Sequence, residues 1–138
     1  MSKDTVTLLI NLLRKKLPDL QAIYLFGSRA DNTHFTEESD WDIALLSEGY
    51  KGYDHKTLWE VQMELSAELN LELDLVDLRN VVTLFQFEII RTSKIIWTKN
   101  RSDAAVYEAR ILNEYQDFRS SQEEIIQDIL DRGRVYGK

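Results

Sequence analysis

Two aspartates one residue apart, Asp40-Trp41-Asp42, follow Gly27-Ser28 by a short polar loop. Side chains alternate faces along an extended strand, so Asp40 and Asp42 share one face and Trp41 takes the other. Carboxylates crowded on one face raise each other's pKa. A divalent cation relieves that repulsion, and hard cations prefer oxygen ligands. Upstream, Ala22-Ile23-Tyr24-Leu25-Phe26 reads as a buried strand running into Gly27-Ser28. Gly27 permits positive φ and a close backbone approach to a ligand. Ser28 adds a hydroxyl, and the amides opening the next turn suit an anion. Arg29 offers either a guanidinium fork to phosphates or a surface ion pair, and the sequence leaves both open. The pattern predicts a metal-dependent nucleotide site, with Asp40 and Asp42 holding Mg²⁺ against the phosphates.

A third carboxylate is expected close by, to ligate a second metal or to take the proton of an attacking hydroxyl. Leu71-Glu-Leu-Asp-Leu-Val-Asp77 alternates apolar and acidic residues, the period-two mark of a strand. Asp74 is the choice on that strand, with Glu72 and Val76 on its face and Leu73, Leu75 and Asp77 on the other. Glu72 is the nearest competitor. Asp77 is better read as a cap of the following segment.

The rest of the chain must position these groups. Val6, Leu9, Ile10, Leu13 and Leu17 form a helical stripe, with Asp4 as N-cap and Pro18 at the stop. The first strand covers 21–26, a helical turn 28–31, a loop 32–39 and the second strand 40–46. Asp54 caps a helix through Leu69, carrying Leu58, Val61, Leu65 and Leu69 along one side. A helix over about 82–92 precedes a short strand at Ile95–Thr98. From Arg101 to Arg134 the pattern is helical and charged, with a break expected near Ser120-Ser121 and an apolar stripe of Leu112, Tyr115, Ile125, Ile126 and Ile129. The expected architecture is α+β, or α/β-like: a small mixed sheet with helices packed on one side and a C-terminal helical arm.

The bulk properties restrict the function. The 138 residues are the size of one domain and can bury a real core, with 43% hydrophobic and 30% charged content. There is no cysteine, so disulfides and thiolate metal sites are excluded. No basic-then-apolar leader opens the chain, and no apolar run reaches membrane-spanning length, so a cytoplasmic address is expected. A net charge of −7 argues against direct nucleic-acid binding, which relies on Lys and Arg neutralising phosphates, and leaves room for a basic protein partner.

The stretch from Ile23 to Ile43, with Tyr-Leu-Phe-Gly-Ser-Arg-Ala and then Ser-Asp-Trp-Asp-Ile, resembles the signature of the polymerase β-like nucleotidyltransferases. Leu73-Asp-Leu-Val-Asp77 resembles their third-carboxylate strand. Small size and a helical tail with Glu108, Arg110, Tyr115 and Asp117 make the chain similar to the minimal nucleotidyltransferase antitoxins of the MntA type, encoded beside a HEPN-domain toxin. The resemblance covers about residues 5–118. It implies one nucleotidyltransferase domain over 1–138, with a core over about 5–99 and the arm over about 101–134. It also implies a protein adenylyltransferase that moves AMP from ATP onto a tyrosine of the HEPN ribonuclease, silencing the toxin, with Mg²⁺ as cofactor. Gly27 and Ser28 would hold the triphosphate, Asp40 and Asp42 the metal, and Asp74 would complete the triad. Eleven residues separate Ser28 from Asp40, one more than the commoner spacing in this group. The alternatives are an antitoxin that blocks its toxin by binding alone, and transfer to a small molecule.

Plainer readings stand beside these. A lone Asp-X-Asp is most often a solvated strand edge; the Gly-Ser turn before it shifts the balance. His34 and His55 lack metal-ligand spacing and read as an exposed loop and an exposed helix start. Ser39 reads as a loop hydroxyl. Trp41, Trp59 and Trp97 read as core anchors, and the charged arm as a solvated helix or a docking face.

Overall fold

The computed structural model describes residues 3–31 and 40–132. The expected loop at 32–39, with His34 and Ser39, lies outside the described residues. Ten elements follow in order: α1 (Lys3–Lys16), β1 (Leu20–Phe26), α2 (Ser28–Asp31), β2 (Trp41–Ser47), α3 (His55–Leu69), β3 (Leu73–Asp77), a 3-10 turn (Leu78–Asn80), α4 (Thr83–Thr92), β4 (Lys94–Thr98) and α5 (Arg101–Asp131). The strands form one sheet in the order β3-β2-β1-β4. β1 pairs antiparallel with β2 and β4, and β2 pairs parallel with β3 through the α3 crossover. The sheet is therefore mixed, as expected.

Helices cover both faces of the sheet, where the sequence suggested one. Leu9 and Leu13 of α1 and Val61 and Leu65 of α3 pack with Ile23, Trp41, Ile43 and Leu45 on one side. Ile89 of α4 and Ala104, Tyr107 and Ile111 of α5 pack with Ala22, Tyr24, Ala44 and Leu46 on the other. The reason lies in β1 and β2, which are apolar at nearly every position rather than at alternate ones. A strand of that kind is stable only when both faces are covered.

Local signals explain the element ends. Asp54 caps α3 by accepting from the Thr57 amide, and Asn70 ends it in the left-handed conformation. Asp77 caps the 3-10 turn through the Arg79 amide, as its position suggested. Asp4 sits inside the first turn of α1 rather than at its cap, where its charge still favours the helix start. No break occurs at Ser120-Ser121, and α5 continues through both serines as one helix of 31 residues. Flanked by Arg119–Glu123 pairing, two serines cost too little helix propensity to interrupt it. Trp59 is exposed, contrary to its reading as a core anchor. At 100° per residue it points away from the Val61–Leu65 stripe that α3 buries.

Candidate active site

β1 ends and β2 begins at the same end of the sheet, so chemistry-bearing residues from both meet there. Phe26 is the partner of Asp42 across β1 and β2, and Asp42 is the partner of Asp74 across β2 and β3. Paired residues point to the same face, so Phe26, Asp42 and Asp74 form a row across three strands. The register places Asp74 opposite Asp42, whereas Glu72 precedes β3 and its carbonyl accepts from the Trp41 amide.

Gly27 turns the chain directly over this row. Its φ is +75°, a conformation that L side chains rarely adopt. A β-carbon built there would overlap Oδ2 of Asp42 and stand 3.1 Å from its Cγ. The turn therefore rests on the Asp42 carboxylate. The amide of Ala30 closes it by donating to the Gly27 carbonyl at 3.1 Å, and α2 starts at Ser28.

The electrostatics follow from that packing. Burial first, then the charges of Asp74 and Asp40, hold the Asp42 carboxyl above its ordinary range. Asp40 stands exposed just before β2, one residue outside the strand that was expected to contain it. Asp74 is exposed on β3, which is an edge strand.

Whether these acids suit Mg²⁺ is a question of donor chemistry. Among the described residues, no group of three or more His, Cys, Asp or Glu side chains is arranged to hold a metal ion. Asp42 and Asp74 are the two acids that the strand register sets side by side. Mg²⁺ takes one or two carboxylates plus substrate phosphates and waters in preference to an all-protein cage. Asp42, charged at a cost and facing Asp74, fits that demand, with Asp40 beside it.

Arg29 is not a surface residue. It is buried, with its guanidinium 4.4 Å from the centroid of the Trp41 indole, and Trp41 faces away from Asp42. His55 is exposed at the start of α3, as expected.

Sequence reasoning missed the aromatic wall of the site. Phe26 meets Phe85 of α4 edge-on, with centroids 6.4 Å apart. Its place directly before Gly27 was the available signal. Beneath it, the Tyr24 hydroxyl donates to Glu108 of α5 at 2.8 Å, and burial, followed by that bond, pushes its pKa up.

The polymerase beta nucleotidyltransferase domain model matches residues 8–102. The chain belongs to that family. It is 33% identical over 122 residues to the protein adenylyltransferase MntA of Shewanella oneidensis, covering 88% of this chain and 85% of that protein. A toxin–antitoxin crystal structure with AMP-PNP superposes with a TM-score of 0.76 at 32% identity, covering 91% of this chain and 98% of that one. A structure of the tri-AMPylated Shewanella oneidensis HEPN toxin in complex with its MNT antitoxin gives a TM-score of 0.74 at 31% identity, over 94% and 99% of the two chains. Nucleotidyl transfer is thus the family chemistry, and the fold is that of the antitoxin. Among the described residues no helix is long and apolar enough to cross a membrane.

Proposed function

We propose that this chain is the antitoxin of a HEPN toxin and inactivates it by moving AMP from ATP to a tyrosine hydroxyl. The carrying observation is the Asp42–Asp74 pairing under the Gly27 turn. In this reading the turn amides at Gly27 and Ser28 take the triphosphate, aided by the Ser28 hydroxyl. Arg29, stacked on Trp41, fixes the start of α2 against the sheet so that those amides stay aimed. Asp40 and Asp42 hold Mg²⁺, with Asp74 completing the set. When bound, the metal screens the phosphates and the charge that develops on the leaving oxygen.

The tyrosyl oxygen attacks the α-phosphorus, the bond to the β-phosphate oxygen breaks, and pyrophosphate leaves with the electron pair. Asp74, exposed on the edge strand, is open to the incoming hydroxyl and accepts its proton. Phe26 and Phe85 keep the Asp42 side of the site apolar, which strengthens each charge interaction there. The cytoplasm, with its ATP and Mg²⁺, is the compartment this chemistry calls for.

The test incubates the purified chain with its neighbour-encoded partner and α-labelled ATP at varied Mg²⁺. Label on a partner tyrosine is expected. An unlabelled partner rejects the reading. Asp40→Asn with Asp42→Asn is expected to abolish protection in cells while the complex still forms. Retained protection would make the chain a binding plug instead.

A further inference from the structure

Helix α5 is about 46 Å long at 1.5 Å per residue, longer than the sheet it packs on. Its buried residues are Ala104, Tyr107 and Ile111, spaced three and four apart on one stripe. Continued in steps of seven and four, the same stripe runs through Phe118, Ile125 and Ile129. Those three are exposed by 47%, 60% and 37%. The face that seals the core is carried on past the core without a cover. At its near end an apolar groove of about 280 Å³ opens between α4 and α5, lined by Val82, Leu84, Tyr115 and Phe118. Phe85, next along α4, touches Phe26, the strand partner of Asp42. An exposed apolar track therefore leads from the edge of the site to the end of the arm. Ser121 and Gln122 interrupt this face between Phe118 and Ile125, and apolar patches on either side of such a polar step mark interaction sites on soluble proteins.

We propose that this track is where the protein acceptor docks, through a helical ridge of apolar side chains flanked by basic residues. The inference rests on the proposed transfer to a protein. An enzyme whose acceptor is a folded protein must hold it by a surface continuous with the reacting atoms. The extent of the likenesses supports the assignment. The family model stops at residue 102, at the first turn of α5, whereas the toxin–antitoxin structures match 91% and 94% of the chain and so must include much of that helix. The element that the general family model lacks is shared with chains that have a protein partner. Charge gives the partner's character. Over residues 119–132 the arm carries Glu123, Glu124, Asp128 and Asp131 against Arg119 and Arg132, which pair with Glu123 and Asp128 and leave Glu124 and Asp131 in excess, in a chain of net charge −7. Basic flanks on the partner match that rim and speed the encounter.

The experiment uses full-length chain and the neighbour-encoded toxin. Ile125→Glu with Ile129→Glu, and separately Leu84→Glu, are titrated against the toxin by calorimetry, with AMP transfer and ATP–Mg²⁺ binding measured in parallel. The double variant is expected to weaken toxin binding by about thirty-fold or more, as loss of a central apolar contact does. Leu84→Glu is expected to act in the same direction. ATP–Mg²⁺ binding and melting temperature should stay at wild-type values, because all three side chains are exposed. Unchanged toxin affinity in the double variant overturns the proposal. So does a wild-type dimer that the double variant dissolves while toxin affinity is kept, since the track would then belong to a second copy. If wild type binds the toxin, the variants lose it, and no AMP is moved in either case, the docking surface stands and the transfer reading alone fails.

Discussion

Consecutive residues of β2 meet opposite fates. Trp41, Ile43 and Leu45 face α1 and α3, and all three are buried along the full length of the strand. Asp42, Ala44 and Leu46 face α4 and α5; the last two are buried, while the first holds a carboxyl that burial and two neighbouring acids keep hard to ionise. One face is entirely anchor. The other carries chemistry at its first position and anchors at the positions after it. Strand alternation makes this possible, because a residue can be spoiled for packing on one side without disturbing its neighbours on the other. The fold tolerates Asp42 because the Trp41 face is intact.

Asp42→Asn tests the reactive side most severely. Transfer is expected to fall by about 10³-fold or more, on the scale of losing a preorganised electrostatic group. The melting temperature of the unliganded chain should rise, by roughly 2–4 °C, because a carboxylate charged at a cost is replaced by a neutral isostere. The sign with pH follows from the raised pKa. The folded state binds this proton more tightly than the unfolded state, so wild-type stability declines as pH rises from the ordinary 3.8 through the folded value and is level above it. The variant should lose that decline. Melts of both proteins from pH 3.5 to 7.5 measure it, and a variant less stable than wild type at neutral pH would mean that Asp42 holds the fold together.

The anchor side gives the opposite signature. Trp41→Ala removes a buried indole from the core and the surface on which Arg29 stacks, and should cost about 3–5 kcal/mol in urea unfolding. Transfer by the remaining folded molecules is expected to change far less than in Asp42→Asn. Were kcat to collapse with stability preserved, the two faces would not be separable.

Gly27→Ala joins the two sides. The substitution strains a residue at φ +75° and drives a methyl into the Asp42 carboxylate, at an expected cost of about 1–3 kcal/mol. The clash half of that cost needs Asp42, whereas the dihedral half does not. Combined with Asp42→Ala, the Gly27→Ala penalty should shrink, and a double-mutant cycle on unfolding free energy reads the coupling. Strict additivity would show that the turn does not rest on the carboxylate.

How far these features could be read beforehand depended on their range. The Asp40-Trp41-Asp42 alternation and the Gly27 turn were legible because strand periodicity is local and strict. Asp54 and Asp77 announced themselves as caps for the same reason. Periodicity puts Glu72 and Asp74 on one face, however, and only the register with β2 tells them apart. Coverage of both sheet faces is written in the unbroken apolar runs Ala22–Phe26 and Ile43–Leu46, which leave no solvent face on either strand. The burial of Arg29 depends on where α2 leans relative to Trp41, which lies across a loop. Trp59 was misplaced because residue type outweighed its angle on α3. The continuity of α5 turned on i,i+4 ion pairs whose sum no single residue reveals.

Arg29→Lys makes the finest cut between the two faces. Lysine keeps the charge at the start of α2 but loses the planar group that lies flat on the indole. The expected loss is about 1 kcal/mol of stability, the scale of one cation–π contact away from bulk water. If Arg29 only steadies the turn, KM for ATP should stay within about threefold of wild type, since a tenfold change would require about 1.4 kcal/mol of lost ground-state binding. A steep rise in KM with unfolding unchanged would move Arg29 from the anchor face to the phosphates. That result would make the guanidinium, and with it the start of α2, mobile enough to swing across the strand when nucleotide arrives.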